Sequence, residues 1–279
     1  MLTEQPLIPF DRLWGEEGTD FNLADGGFLV DPTSDSPLAD PDLKMLHSYD
    51  KCQCLILLGE MGSGKSSELA RFMSPPEINS ATRRLFDLGA YDKESLNQIF
   101  EDSGIHNAKD SGDLLYLLLD SFDEGLLEVN VLSDRLYRGL TSIQYDQLRV
   151  RIACRGGIWS STSEQKIRSI WPDLKVLRLA PLRRRDATEM ASARGVPDPA
   201  KFLARVAASG ATAFATRPGT LRFLISSFLS NGPSRSPKLS FMMKAAAGFA
   251  PRNQRGLKGG TLDTCSRNSG YRSRAELRL

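Results

Sequence analysis

The sequence predicts an α/β protein in which helices cover both faces of a mostly parallel sheet. Two runs carry the prediction: Cys54-Leu55-Ile56-Leu57-Leu58 and Leu114-Leu115-Tyr116-Leu117-Leu118-Leu119 are apolar at every position. Strands buried on both faces read this way, because neither side alternates with solvent. Further strand-like segments alternate with helical ones, an arrangement that covers a parallel sheet on both sides.

The first strand feeds directly into Gly59-Glu60-Met61-Gly62-Ser63-Gly64-Lys65-Ser66, a complete G-x-x-x-x-G-K-[ST] loop. Small residues at Gly59, Gly62 and Gly64 let consecutive backbone N–H groups converge on a pyrophosphate. Lys65 is expected to reach the β- and γ-phosphates, and Ser66 to offer its hydroxyl to Mg²⁺. A helix from Ser66 to about Phe72 would present its positive N-terminus to the anion. The expected nucleotide contacts are therefore Gly59, Glu60, Met61, Gly62, Ser63, Gly64, Lys65, Ser66 and Ser67, and the expected ligands are ATP and Mg²⁺. Adenine is preferred because no Asn-Lys-x-Asp guanine-reading motif occurs. The fold class sharpens to a P-loop NTPase three-layer sandwich followed by a small helical domain.

The second apolar run ends in Asp120-Ser121-Phe122-Asp123-Glu124-Gly125. A carboxylate at the C-terminal end of a central strand sits where open α/β sheets bind ligands. Asp120 is the candidate Mg²⁺ residue. Glu124 or Asp123 could orient and deprotonate the water that attacks the γ-phosphate. Farther on, Leu148-Arg149-Val150-Arg151-Ile152-Ala153-Cys154-Arg155 alternates as a strand and ends in an arginine. Arg84-Leu85-Phe86-Asp87-Leu88 reads as another strand, and Lys93 to Phe100 as a helix capped near Asp92.

The spelling Asp-x-x-Asp-Glu after an apolar strand resembles the NACHT branch of the STAND signal-transduction ATPases. Arg155 matches the polar end of that family's sensor 1 strand, which implies a catalytic role facing the γ-phosphate. Leu174-Lys175-Val176-Leu177-Arg178-Leu179-Ala180-Pro181-Leu182, followed by Arg185-Asp186-Ala187, is similar to the last core strand and the approach to the family's helical domain. Thr216-Arg217-Pro218-Gly219-Thr220-Leu221 resembles its Asn/Arg-Pro-x-x-Leu segment. The proline is equally accounted for as the first residue of a helix. The resemblance covers roughly residues 50 to 230 and implies a parallel strand order of 5-1-4-3-2. It also implies contact between the lead-in, Phe28 to Asp31, and the base, against which stands ordinary packing of those residues. A role in signalling or defence, self-association, and sensor or effector partners are further implications.

Composition divides the chain into a loop-rich lead-in over 1–50, a nucleotide-binding domain over 51–182, a helical domain over 183–231 and a basic tail over 232–279. The helical domain rests on segments 185–194, 198–208 and 218–230, the last with Leu221, Phe223, Leu224, Phe228 and Leu229 at helical spacing. The tail holds ten Lys/Arg against Asp263 and Glu276, whereas residues 1–231 hold 26 against 32. A disordered end is expected there, rather than a nucleic-acid arm, because aromatic interleaving is lacking. A truncated or frame-shifted product is a third reading, prompted by the absence of the family's winged-helix histidine and sensor repeats.

Other chemistry has little to work with. Cys52, Cys54, Cys154 and Cys265 form neither a disulfide framework nor C-x-x-C spacing, His47 beside the first two makes a metal site only conceivable, and His106 reads as a loop residue. No membrane span and no basic secretory leader are expected, which leaves the cytoplasm as the expected compartment. The leading function is an ATP-binding switch with slow Mg²⁺-dependent hydrolysis. Alternatives are a non-hydrolysing nucleotide scaffold, a P-loop kinase with Arg183-Arg184-Arg185 as its lid, and an AAA-type motor.

Overall fold

The computed structural model describes residue 10 and residues 12–73, 81–124 and 128–231; the basic tail and Gly125 lie outside the described residues. Six strands form one sheet: β1 (Trp14–Glu16), β2 (Cys54–Leu58), β3 (Thr82–Asp87), β4 (Leu115–Asp120), β5 (Leu148–Cys154) and β6 (Lys175–Leu179). Their order is β1-β6-β2-β5-β4-β3. Counted over β2 to β6, which pair in parallel, this is the expected 5-1-4-3-2. The short β1 was not foreseen in the lead-in; it closes the β6 edge in antiparallel register, Trp14 opposite Leu179.

Strand parity builds three layers. Cys54, Ile56 and Leu58 face one core with Leu117, Leu119, Val150 and Ile152, while Leu55 and Leu57 face the other with Tyr116, Leu118 and Ala153. The first core is covered by α2 (Asn97–Phe100), α3 (Ser103–Ser111), α4 (Val129–Ile143) and α5 (Ser161–Arg168). The second is covered by Leu69 of α1 (Lys65–Met73) together with Trp14, Leu46 and Tyr49. Each fully buried Leu or Ile contributes about 1.5–3 kcal/mol, so these two cores dominate the sheet's stability.

A third core joins α6 (Arg184–Ala193), α7 (Pro199–Ala208), α8 (Thr212–Ala215) and α9 (Pro218–Asn231) through Met190, Phe202, Leu203, Val206, Leu221 and Ile225. Phe10 and Phe28 of the lead-in complete it. Asp198 caps α7 by accepting from Lys201 N at 2.9 Å, and Pro218 opens α9.

Two sequence expectations shift. The helix expected over Lys93 to Phe100 begins only at Asn97, because the Asp92 carboxylate accepts from Glu94 N and Ser95 N and holds a turn. His106 lies in α3 rather than in a loop. That helix starts where Asp102 accepts from Gly104 N at 2.9 Å and Ile105 N at 3.2 Å.

Candidate functional site

Because β5 pairs with both β2 and β4, the C-terminal ends of these three strands lie side by side. The loop after β2, Asp120 at the end of β4 and Arg155 after β5 are thereby brought to one edge of the sheet. Two backbone bonds extend the pairing past the strands: Gly59 N donates to Cys154 O at 3.2 Å, and Phe122 N to Ala153 O at 3.2 Å.

In the loop, Gly62 and Gly64 have φ of 71° and 100°, values that disfavour any side chain. Gly59 is tight for a different reason: a Cβ there would lie 2.8 Å from Ser63 Oγ. Ser63 N turns back to Glu60 O at 3.1 Å, and Glu68 N to Gly64 O at 3.0 Å starts α1. Lys65 Nζ donates to the carbonyls of Gly59 and Glu60. Burial lowers the Lys65 ammonium below its ordinary range, and the carboxylates of Asp123 and Asp120 act against that shift. Ser66 and Ser67 are exposed on the first turn of α1, and Glu60 is exposed beside a half-buried Met61.

The acidic turn is organised around Arg155. The Asp123 side chain is 4% exposed; its Oδ1 accepts from Arg155 N at 2.9 Å and its Oδ2 pairs with Arg155 Nε at 2.6 Å. Glu124, 55% exposed, takes Arg155 Nη2 at 2.7 Å. The hydrogen bond it donates to Glu124, with the charge of Asp123, raises the Arg155 guanidinium above its usual range against the effect of burial. Asp120 Oδ1 accepts from Ser121 N at 2.8 Å. Next to it, burial pushes the Cys154 thiol up to about 12, so that it is no nucleophile at neutral pH.

A glycine cradle on a helix N-terminus, a lysine within it and a strand-end carboxylate on the adjacent parallel ladder decide the fold. The fold is that of a P-loop NTPase. The cradle fits a phosphate: a side chain at Gly59 would crowd Ser63 and Lys65 within it, and Gly64 holds a positive φ that glycine alone takes readily. For Mg²⁺ the oxygen donors would be Ser66 and Asp120, a sparse hard set that suits an ion completed by water and phosphate oxygens. Among the described residues no group of three or more His, Cys, Asp or Glu is placed to hold a metal ion by itself. His47 is exposed while Cys52 and Cys54 are buried, so the metal reading of that trio lacks a shared site.

No known family profile matches the chain, and no curated protein is similar to it. Solved structures are similar: the RuvB Holliday junction branch migration motor of Thermotoga maritima at 15% identity, over 73% of this chain and 65% of that one, TM-score 0.41. Others are PCH-2 of C. elegans (14%, 69% and 59%, TM-score 0.38) and domain III of the Thermotoga maritima replication initiation protein DnaA (14%, 72% and 85%, TM-score 0.39). The chain spans less than two thirds of the RuvB and PCH-2 chains. Likeness at this level says nothing of what this chain acts on.

The flanking segments meet the loop from behind. Gly219 N, at the start of α9, donates to Gly62 O at 2.9 Å, and a Cβ on Gly219 would lie 3.0 Å from Gly62 Cα. Arg12, which no motif marked, reaches the carbonyls of Ser63 and Ala180; its only sequence signal is an arginine set against Leu13-Trp14. Phe28 and Leu29 are buried in apolar clusters and Asp31 is paired with Arg185 at 2.9 Å, so packing accounts for this segment. Arg183, Arg184 and Arg185 are engaged with Asp186, Asp25 and Asp31, respectively. Among the described residues no helix is long and apolar enough to cross a membrane.

Proposed function

We propose that this chain is an ATP-binding switch of the NACHT type of STAND ATPase, with slow Mg²⁺-dependent hydrolysis. The observation that supports this most is the hydrogen bond from Gly219 to Gly62, which ties the helical segment over 183–231 directly to the phosphate loop. A ligand that reshapes the loop then biases the angle of the helices, which is what a switch requires. In this reading Lys65 and the loop N–H groups hold the phosphates, while Ser66 and Asp120 hold Mg²⁺, which when bound offsets the phosphate charge. Glu124, or Asp123, orients the attacking water, and Arg155 turns a cation toward the γ-phosphate. ATP-dependent self-association and recruitment of sensor or effector proteins belong to the same proposal.

One feature favours the non-hydrolysing alternative. Arg155 bonds Asp123 and Glu124 together, and carboxylate oxygens already accepting from a guanidinium are not free to accept from a water. Calorimetric titration of Mg-ATP into the full chain, with Lys65→Ala alongside, tests the site. Saturable binding lost in the variant supports it; no binding by folded wild type overturns it. Turnover then separates switch from scaffold. Glu124→Gln is expected to bind ATP like wild type and to hydrolyse it at least ~100-fold more slowly. Undiminished turnover in that variant would remove Glu124 from its role.

A further inference from the structure

In a phosphate loop the N–H groups must point inward, so the carbonyls of the same peptide planes point outward and need donors of their own. Two of these carbonyls are met from outside the loop. Gly62 O accepts from Gly219 N, and Ser63 O accepts from Arg12 Nη1 at 2.6 Å. The second Arg12 nitrogen, Nη2, donates to Ala180 O at 2.6 Å, immediately after β6. Arg12 is 4% exposed, and a Cβ on Gly64 would lie 3.0 Å from its Nη1 and 3.5 Å from Pro218 Cγ. Its own backbone is anchored on both sides. Arg71 of α1 donates to Phe10 O at 2.5 Å, and β1 begins at Trp14, paired with β6.

We infer that Arg12 is a positioning residue for nucleotide binding: it fixes the Ser63–Gly64 peptide so that Gly64 N–H faces the phosphate site, and couples that peptide to the β6 end where the helical segment departs. The inference rests on the nucleotide-binding reading above. Only an arginine spans both carbonyls, because its planar fork carries two parallel donors where lysine offers one point charge. Burial lowers the Arg12 guanidinium from its ordinary value to about 10, with Glu68 and Asp186 acting against the shift, so it stays charged at neutral pH. The same burial lowers a lysine ammonium at this position, which starts from a lower ordinary value than a guanidinium and so loses its charge first as pH rises.

The test is Mg-ATP titration of the full-length wild type, Arg12→Ala and Arg12→Lys, each first checked for a cooperative thermal transition without nucleotide. Arg12→Ala is expected to raise Kd by about 10-fold or more. Arg12→Lys is expected to recover part of that loss at about pH 7 and to forfeit it by about pH 9, so that its Kd relative to wild type widens with pH. A role confined to stability would lower the melting temperature without that pH-dependent ratio. Folded Arg12→Ala with a Kd within about twofold of wild type overturns the inference while leaving nucleotide binding standing. If Arg12→Ala does not fold, a Kd ratio of Arg12→Lys to wild type that is flat and near one between about pH 7 and 9 overturns it instead. No binding by folded wild type removes the nucleotide reading itself, and this inference with it.

Discussion

Ser121 lies at φ 57°, the one non-glycine residue among the described residues in the left-handed region, between Asp120 and the Asp123–Glu124 pair. An L side chain there costs about 1–2 kcal/mol, while glycine loses about 0.5–1 kcal/mol more backbone entropy on folding than alanine. Ser121→Gly is therefore expected to stabilise the chain by about 0.5–1 kcal/mol, a rise of about 1–4 °C in melting temperature by calorimetry. A fall would show that the serine side chain contributes more than its strain costs. The carboxylates around it were legible as residue types: an acidic, solvated turn is the ordinary alternative, and the phosphate loop on a companion strand is what favours a ligand site. Their state was not. That Arg155 bonds both Asp123 and Glu124 depends on a turn that begins at Ser121, whose backbone no propensity for serine would suggest.

Among the elements, β2, β4 and α9 were readable because their apolar spacing is a local signal with period 1, 2 or 3.6. Leu132, Leu136, Leu140 and Ile143 of α4 carry the same kind of helical signal and could have placed that helix too. β5 is different. Its alternation suggests that Arg149 and Arg151 share a solvated face, yet Arg151 is fully buried, donating to the carbonyls of Cys52 and Val150 at 3.0 Å and stacked on Tyr116 at 5.7 Å. Gly139 of α4 is likewise decided by its neighbour. A Cβ there would lie 2.2 Å from Cε2 of the buried Phe100 ring. Gly139→Ala gains about 1 kcal/mol of helix propensity but drives a methyl group into the Phe100 ring. A net loss of about 1–2 kcal/mol is expected in urea unfolding; a net gain would mean that α4 and α2 slide apart freely. At α3, Asp102 is held below the usual carboxylate range: burial opposes the shift, and the Arg84 bond with the N–H groups of Ile105 and Gly104 outweighs it. A depressed folded pKa stabilises above the unfolded value of about 4 and is lost as pH falls through the folded one. Asp102→Asn keeps a capping oxygen and is expected to flatten the fall in stability between about pH 5 and 3, read by urea unfolding at each pH.

For the whole molecule, a ligand that binds only the folded chain adds about 2.7 kcal/mol at a hundredfold excess over Kd, which at this size raises the melting temperature by about 5–10 °C. Mg-ATP is expected to do so in wild type and not in Lys65→Ala; equal shifts in both would place the nucleotide elsewhere. The sequence by itself determined the buried parallel strands, the phosphate loop between β2 and α1, the carboxylates after β4 and the helical character beyond Arg183. Each of these is encoded within a few residues, by side-chain period or by the backbone freedom of glycine. Only the tertiary structure decided that β1 closes the sheet, that Arg12 reaches Ser63 and Ala180, and that Gly219 rests on Gly62. Those contacts join a guanidinium or an N–H to backbone carbonyls 51 to 168 residues away. Every residue carries such a carbonyl, so the choice of partner is written in the strand order and in no residue pattern.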